Sequence, residues 1–199
     1  MGGVVIAIDG PAGSGKSTVA KALSERLGCE RLDTGAMYRA VTLLALRSGV
    51  DLADAASLSE MAMSMDYQAR GEILLNGEDV TEAIRTPHVD RHVSQVSAHP
   101  LVRRELVRRQ RAWVDEHGGG VVEGRDIGSV VMPAADLKIY LTAHADERAR
   151  RRDDPELARR DGLDSGRAVS PLVVPKGAIV IDSTGRSVEE VVEEVLSYL

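Results

Sequence analysis

Short apolar runs punctuate the chain, and the stretches between them carry apolar residues at helical rather than alternating spacing. Residues 4–8 (VVIAI) are uninterruptedly apolar, as expected of a strand buried on both faces. Residues 18–27 (TVAKALSERL) then follow an amphipathic helical pattern. Residues 30–33 read as a short second strand, and 34–48 as a helix with Met37, Val41, Leu44 and Leu46 among its apolar members and Gly49 where it ends. Residues 121–123, 137–141 and 178–182 are three further short apolar runs separated by helical segments. Strand alternating with helix predicts a parallel sheet covered on both faces. The final helix opens on Ser187-Val188-Glu189-Glu190, the spacing of a capping box.

Residues 66–80 break this rhythm. Residues 67–70 and 72–75 read as strands, and Asn76-Gly77 ahead of Glu78-Asp79-Val80 is a two-residue hairpin signal. The pattern predicts a small antiparallel insert on the parallel core. Pro87 and Pro100 bracket a helix over 88–99, Pro100 starts another to about residue 116, and Gly118-Gly119-Gly120 leads back to the core.

Composition narrows the functional classes. At 199 residues the chain is one domain, or one with small insertions, long enough to bury a core without disulfides. One cysteine, Cys29, excludes an internal disulfide framework or a cysteine-rich zinc site, suits a reducing cytoplasm, and reads as a packed thiol. No apolar stretch approaches the ~20 residues of a membrane helix. No basic segment precedes the first strand, so no signal peptide and a cytoplasmic location are expected. The net charge of −6 argues against a nucleic-acid partner, and with no Phe, four Tyr and one Trp the chain lacks base-stacking platforms. Arginines nevertheless cluster, five within 101–111 and six within 148–160. Such runs are commonly solvated helix faces, but in an acidic chain they also suit localised anion recognition. The even mixture of charges suggests a monomer.

The most specific chemistry lies between the first strand and the first helix. Gly10-Pro11-Ala12-Gly13-Ser14-Gly15-Lys16-Ser17 matches G-x-x-x-x-G-K-[ST], the phosphate-binding P-loop, at every fixed position. Its glycines let the backbone curl so that N–H groups converge on an anion, and the following helix adds its positive end. Residues 10–17 with Thr18 are the expected ATP site. Lys16 can reach the β- and γ-phosphates and Ser17 can ligand Mg²⁺.

A P-loop alone says only nucleoside triphosphate. No N-K-x-D motif of the GTPase kind is present, and a kinase needs a second anion site in line with the γ-phosphate. The candidates are residues 33–39, Arg103, residues 123–126 and residues 160–167. Ligands of open α/β sheets lie beyond the carboxyl ends of the strands, which is where Arg39, Arg125 and Asp126 are expected. Any one arginine alone reads as a surface ion pair. Two or three converging there can neutralise an acceptor phosphate.

These segments carry a resemblance. Asp33-Thr34-Gly35-Ala36-Met37-Tyr38-Arg39, Ser94-Gln95-Val96-Ser97 with the arginine-rich helix after it, Glu123-Gly124-Arg125-Asp126-Ile127-Gly128, and Gly166-Arg167-Ala168-Val169-Ser170-Pro171-Leu172 resemble the signatures of bacterial cytidylate kinases nearly end to end. The resemblance implies an α/β P-loop NTPase three-layer fold with a parallel, about five-stranded central sheet, a small antiparallel insert and a short lid. It implies one kinase domain over 1–199, a nucleoside-monophosphate-binding insert over 57–100 and a lid over 142–167. It implies transfer of the γ-phosphoryl group of ATP, with Mg²⁺, to CMP and dCMP, with Lys16, Arg39 and Arg125 catalytic. Thr34, Tyr38, Arg39, Ser94, Arg103, Arg125, Asp126, Arg160, Asp164 and Arg167 would bind CMP. Within that set Arg39 and Arg125 match acceptor-phosphate ligands, and guanidinium forks chelate phosphate oxygens. Ser94, Arg103 and Asp126 match readers of the cytosine ring, whose exocyclic amine suits a carboxylate acceptor. Uracil would set carbonyl against carboxylate, at about 1–3 kcal/mol for the unsatisfied pair. Arg160 and Asp164 match ribose ligands, and Arg167 the phosphate side.

The chain departs from that family between Leu141 and Arg167, where it is short and interrupted by Asp153-Asp154-Pro155. A lid excludes water from the phosphates, so which of residues 148–152 reaches the transferring group stays open. Gly162, Leu163 and Ser165 stand where more charged residues are usual. Two rival readings stand beside this one: another small P-loop kinase with a different acceptor, which the hairpin insert and the Arg125-Asp126 turn argue against, and a non-catalytic nucleotide-binding protein.

Overall fold

Five parallel strands form the central sheet of the computed structural model, which describes residues 3–152, 162 and 172–199. The strands are β1 (Val5–Asp9), β2 (Arg31–Asp33), β6 (Gly120–Gly124), β7 (Leu137–Thr142) and β8 (Ile179–Asp182), in the order β2-β6-β1-β7-β8. Ile6 lies beside Val121 on one side and Leu137 on the other, so β1 is central. The expected apolar run over 4–8 is buried on both faces only in its second half: Ile6, Ala7 and Ile8 are each at most 1 % exposed, whereas Val4, ahead of the strand, is exposed.

The chain divides into two compact units, Met1–Asp33 with Arg111–Leu199, and Thr34–Gln110. In the first, α1 (Lys16–Leu27) and α7 (Val188–Leu196) cover one sheet face. Val19, Ala20 and Leu23 of α1 and Val191, Val192 and Val195 of α7 pack with Ile6, Ile8, Val121, Ile139, Leu141 and Ile181. Each such large aliphatic side chain contributes about 1.5–3 kcal/mol by burial. Cys29 is a free thiol packed partly against this core, and burial pushes its pKa up. The Ser187 capping box is formed in both directions. Helix α6 (Ala145–Arg152) follows β7.

The second unit holds α2 (Thr34–Ser48), α3 (Ala55–Ser64), the antiparallel strands β3 (Tyr67–Arg70), β4 (Glu72–Leu75) and β5 (Glu78–Asp79), α4 (Pro87–Ala98), and α5 (Pro100–His117) as far as Gln110. The hairpin is the predicted one. Asn76 and Gly77 both have positive φ, 52° and 83°, as a two-residue turn matching the strand twist requires. Arg47 of α2 ties the hairpin down through a forked pair to Glu78 at 2.7 and 2.9 Å. No helix among the described residues is long and apolar enough to cross a membrane.

Candidate active site

The first unit carries the phosphate end. β1 delivers its chain into the glycine loop at Asp9, and α1 starts one residue beyond Gly15, whose φ of 90° only glycine adopts cheaply. Helix α1 has no side-chain cap at its N-terminus, so its first turn faces the loop mouth with its positive end uncapped by a carboxylate or hydroxyl. Space is as restrictive as torsion. A Cβ on Gly10 would lie 2.0 Å from the Leu141 carbonyl oxygen, and one on Gly13 would lie 2.6 Å from that of Arg148.

Three cations rest on consecutive carbonyls of this loop. Arg125 Nη1 donates to Gly10 O at 3.4 Å, Lys16 Nζ to Pro11 O at 2.7 Å, and Arg148 Nη1 to Ala12 O at 3.1 Å. A phosphate oxygen is a stronger acceptor than a carbonyl because it carries charge, so each contact can be exchanged for one to a nucleotide. Arg148 comes from α6, inside the stretch that the sequence left open. Arg151 of the same helix donates to Ser183 Oγ and O at 2.9 and 2.8 Å, and Ser183 Oγ donates to Ser14 O at 2.9 Å, tying α6, the end of β8 and the loop together.

Ser17 Oγ donates to Glu123 Oε2 at 2.7 Å, and Arg31 Nη1 donates to Glu123 Oε1 at 2.7 Å. Burial, and then the charge of Asp33, push the Glu123 pKa up to about 7 against the pull of Ser17, Lys16 and Arg31. A hydroxyl and two carboxylates, Glu123 and its cross-strand neighbour Asp33, are a hard-oxygen set, which fits Mg²⁺. Sequence reasoning placed Glu123 among the candidates without a role and missed Arg31. The signal for Glu123 was its position at the end of a core strand.

Asp9 was missed altogether. It is 0 % exposed, yet it is charged-type, and it ends a strand that is otherwise apolar. Its Oδ1 accepts from Ile127 N and its Oδ2 from Gly128 N, both at 2.7 Å. Burial pushes its pKa up to about 6, with Asp126 adding to the rise while the two N–H groups and Lys16 oppose it. Asp126, Lys16 and the two amides therefore surround one carboxylate, and Arg125 joins them at Gly10. The chain after Asp126 forms a single π-helical turn, Ile127–Val131, in which Asp126 O accepts from Val130 N at 2.9 Å and Val131 N at 3.2 Å.

The second unit gathers Tyr38, Arg39, Ser94 and Arg103. Thr34 opens α2 and is buried. Arg39 is 8 % exposed, donates to Ile84 O at 3.0 Å and is ion-paired with Asp90. Ser94 is one turn beyond Asp90 on α4 and also buried. Ser97 Oγ donates to Ser94 O, Arg103 Nη1 donates to Ser97 O at 3.4 Å, and the Arg103 guanidinium sits 5.5 Å from the Tyr38 ring centroid, a cation–π distance. Of the expected residues, Arg160, Asp164 and Arg167 lie outside the described residues, as does most of the expected lid.

A parallel sheet of this order, with a glycine loop leaving its central strand for a helix N-terminus and a lysine and hydroxyl in the first turn, defines a P-loop nucleotide-binding fold. Solved structures of low identity share that architecture: a sugar kinase from Janibacter sp. HTCC2649 (13 % identical, 98 % of this chain and 93 % of its own, TM-score 0.52) and an uncharacterized protein from Eubacterium ventriosum ATCC 27560 (13 %, 98 % of each, TM-score 0.51). The family model described as cytidylate kinase matches residues 6–199. Similar proteins are the cytidylate kinases of Caldanaerobacter subterraneus subsp. tengcongensis (50 % identical, covering 96 % of this chain and 92 % of the relative), Solibacter usitatus (49 %, 97 % and 90 %) and Mycobacterium leprae (46 %, 98 % and 95 %). The chain belongs to the cytidylate kinase family. The first of these alignments spans 208 positions against the chain's own 199, so that relative carries residues this chain lacks.

Proposed function

We propose that the chain transfers the γ-phosphoryl group of ATP to the phosphate of CMP and dCMP, giving ADP and CDP or dCDP. The observation that carries this reading is the family match over residues 6–199 of a chain whose P-loop carries Lys16 and Ser17 and takes Arg125 on Gly10 O, beyond the carboxyl ends of β1 and β6. ATP lies along residues 10–18, with the β- and γ-phosphates against the loop N–H groups and the start of α1. Lys16 exchanges the Pro11 carbonyl for a phosphate oxygen. Ser17 and Glu123 are the residues that would hold Mg²⁺, which when bound neutralises charge on the β- and γ-phosphate oxygens.

The CMP phosphate oxygen is already ionised near neutral pH, so the residues need not remove a proton. Arg39 and Arg125 neutralise the acceptor phosphate, and catalysis rests on positioning and charge. Asp126 accepts from the cytosine amine while Ser94 and Arg103 donate to the ring acceptors, which disfavours UMP. Thr34 and Tyr38 complete this nucleotide set, and Arg160, Asp164 and Arg167 serve the ribose and phosphate. We place the reaction in the cytoplasm, with the chain acting as a monomer on small nucleotides and not on nucleic acid. One cysteine and a net charge of −6 support that placement.

A coupled assay for ADP, with ATP, Mg²⁺ and each of CMP, dCMP, UMP, AMP and shikimate, tests the reading. ADP formed with CMP and dCMP and little with the others is the expected result. Strong turnover of AMP or shikimate would give the chain a different acceptor. ADP released equally without any acceptor would mean that water reaches the γ-phosphate. Nucleotide binding with no ADP under any condition would make it a non-catalytic binder.

A further inference from the structure

Among the buried polar groups in the first unit, Asp9 is one for which neither phosphate binding nor base reading supplies a use. Among the described residues its hydrogen bonds go to no side chain, although the charges of Lys16 and Asp126 are felt there. Both oxygens instead hold main-chain N–H groups 118 and 119 residues away in sequence, at 2.7 Å each. Those two amides belong to the residues directly after Asp126. The Asp126 carbonyl, the other half of the peptide group whose N–H belongs to Ile127, accepts from Val130 N and Val131 N and closes the π-helical turn. The peptide group that leaves residue 126 is thus held at its N–H by Asp9 and at its carbonyl by the turn, and the φ and ψ of Asp126, −144° and 27°, lie outside helix and strand alike. Gly128 belongs to the same device. A Cβ there would come 3.3 Å from Asp9 Oδ2, 3.2 Å from the Lys138 side chain and 3.2 Å from Pro175, closer than ordinary contact, so glycine lets the chain pack tightly against the carboxylate.

We propose that Asp9 is a positioning residue that sets the Asp126 carboxylate through the Ile127 and Gly128 amides, and thereby sets the preference for cytosine over uracil. The inference rests on the reading of Asp126 as the acceptor for the cytosine amine. Asp9 is also the residue before Gly10, so the strand that launches the phosphate loop carries the side chain that fixes the base-reading turn. A carboxylate is required because both partners are donors. An amide of the same shape offers one oxygen and sets an NH₂ group against the second N–H.

The test compares the parent protein with Asp9→Asn. In the variant, kcat/KM for CMP is expected to fall at least about 10-fold, and the CMP-to-UMP ratio of kcat/KM at least about threefold. The dissociation constant for ATP·Mg²⁺ without acceptor should stay within about threefold, since only interactions realised with the acceptor are lost. A CMP-to-UMP ratio equal to the parent's, or a loss confined to ATP binding, would overturn the proposal. Amide hydrogen exchange in the unmodified protein supplies a second readout that needs no variant to fold. At equal occupancy, CMP should slow exchange at Ile127 and Gly128 more than UMP does. Equal slowing, or exchange of these amides in the free protein as fast as in an exposed loop, would also overturn it. Failure of the parent to phosphorylate CMP would count against the proposed reaction and is seen in the parent alone.

Discussion

Lys16 donates to the neutral Pro11 carbonyl, a contact weaker than the one a phosphate oxygen offers. Lys16→Ala should therefore lower kcat by about two orders of magnitude, the usual cost of removing one donor to transition-state charge. The ADP-coupled rate at saturating CMP measures it, and a near-normal rate would remove Lys16 from catalysis. Asp126→Asn should erode the CMP-to-UMP ratio more than it weakens ATP binding, because an asparagine amide can donate to the uracil carbonyl that the carboxylate repels. A ratio unchanged in paired kcat/KM measurements would take Asp126 out of base reading. At this scale the P-loop was legible because its residues sit at fixed local spacing, and so was the Ser187 cap. Asp9, Arg31 and Asp90 were not. Each acts on a partner dozens of residues away, and for Asp9 that partner is main chain, which leaves no trace in side-chain identities.

Among the elements, periodicity located the sheet to within a residue or two. The run at 4–8 is β1 at Val5–Asp9, and the helix at 34–48 is α2 at the expected residues. What the pattern did not reveal has a physical reason in each case. Helix α3 is a short stretch of small and apolar residues whose start is fixed by Asp54 accepting from the Ala56 and Ser57 amides. The π-helical turn after Asp126 gives its first two amides to Asp9 at the end of the neighbouring strand. Helix α6 has almost no apolar face to read, and docks on the P-loop through arginines instead. Within α5, Glu105 takes hydrogen bonds from Arg108 and Arg109, and chiefly the Arg108 bond holds its pKa down, to about 2 against an ordinary 4.5. A folded-state pKa below the unfolded one adds stability that is present above pH 4.5 and lost as pH falls toward 2. Glu105→Gln should lower the urea midpoint at pH 7 by the equivalent of about 0.5–1 kcal/mol, as expected for partly exposed pairs. It should also flatten the dependence of that midpoint on pH between 4.5 and 2. An unchanged slope in that window would mean that the pairs contribute nothing.

Across the whole molecule, the first unit is assembled from the two ends of the chain around a segment, Thr34–Gln110, that forms its own unit. A ligand that binds only the folded first unit must stabilise residues separated by that entire segment. ATP·Mg²⁺ at 100 times its dissociation constant is expected to raise unfolding stability by about 2.7 kcal/mol. Chemical denaturation followed by circular dichroism would show this as a shifted midpoint, and the shift should shrink in Lys16→Ala at the same nucleotide concentration. The glycines show how unevenly such a fold can change over time. Gly28 and Gly49 have positive φ with nothing within 4 Å of an added Cβ, so a lineage can drift there to asparagine, which tolerates that torsion. At Gly10 a Cβ would meet the Leu141 carbonyl oxygen at 2.0 Å. Its identity is held by lack of room rather than by any chemistry it performs, and heredity has no neighbouring residue to try there unless β7 moves first.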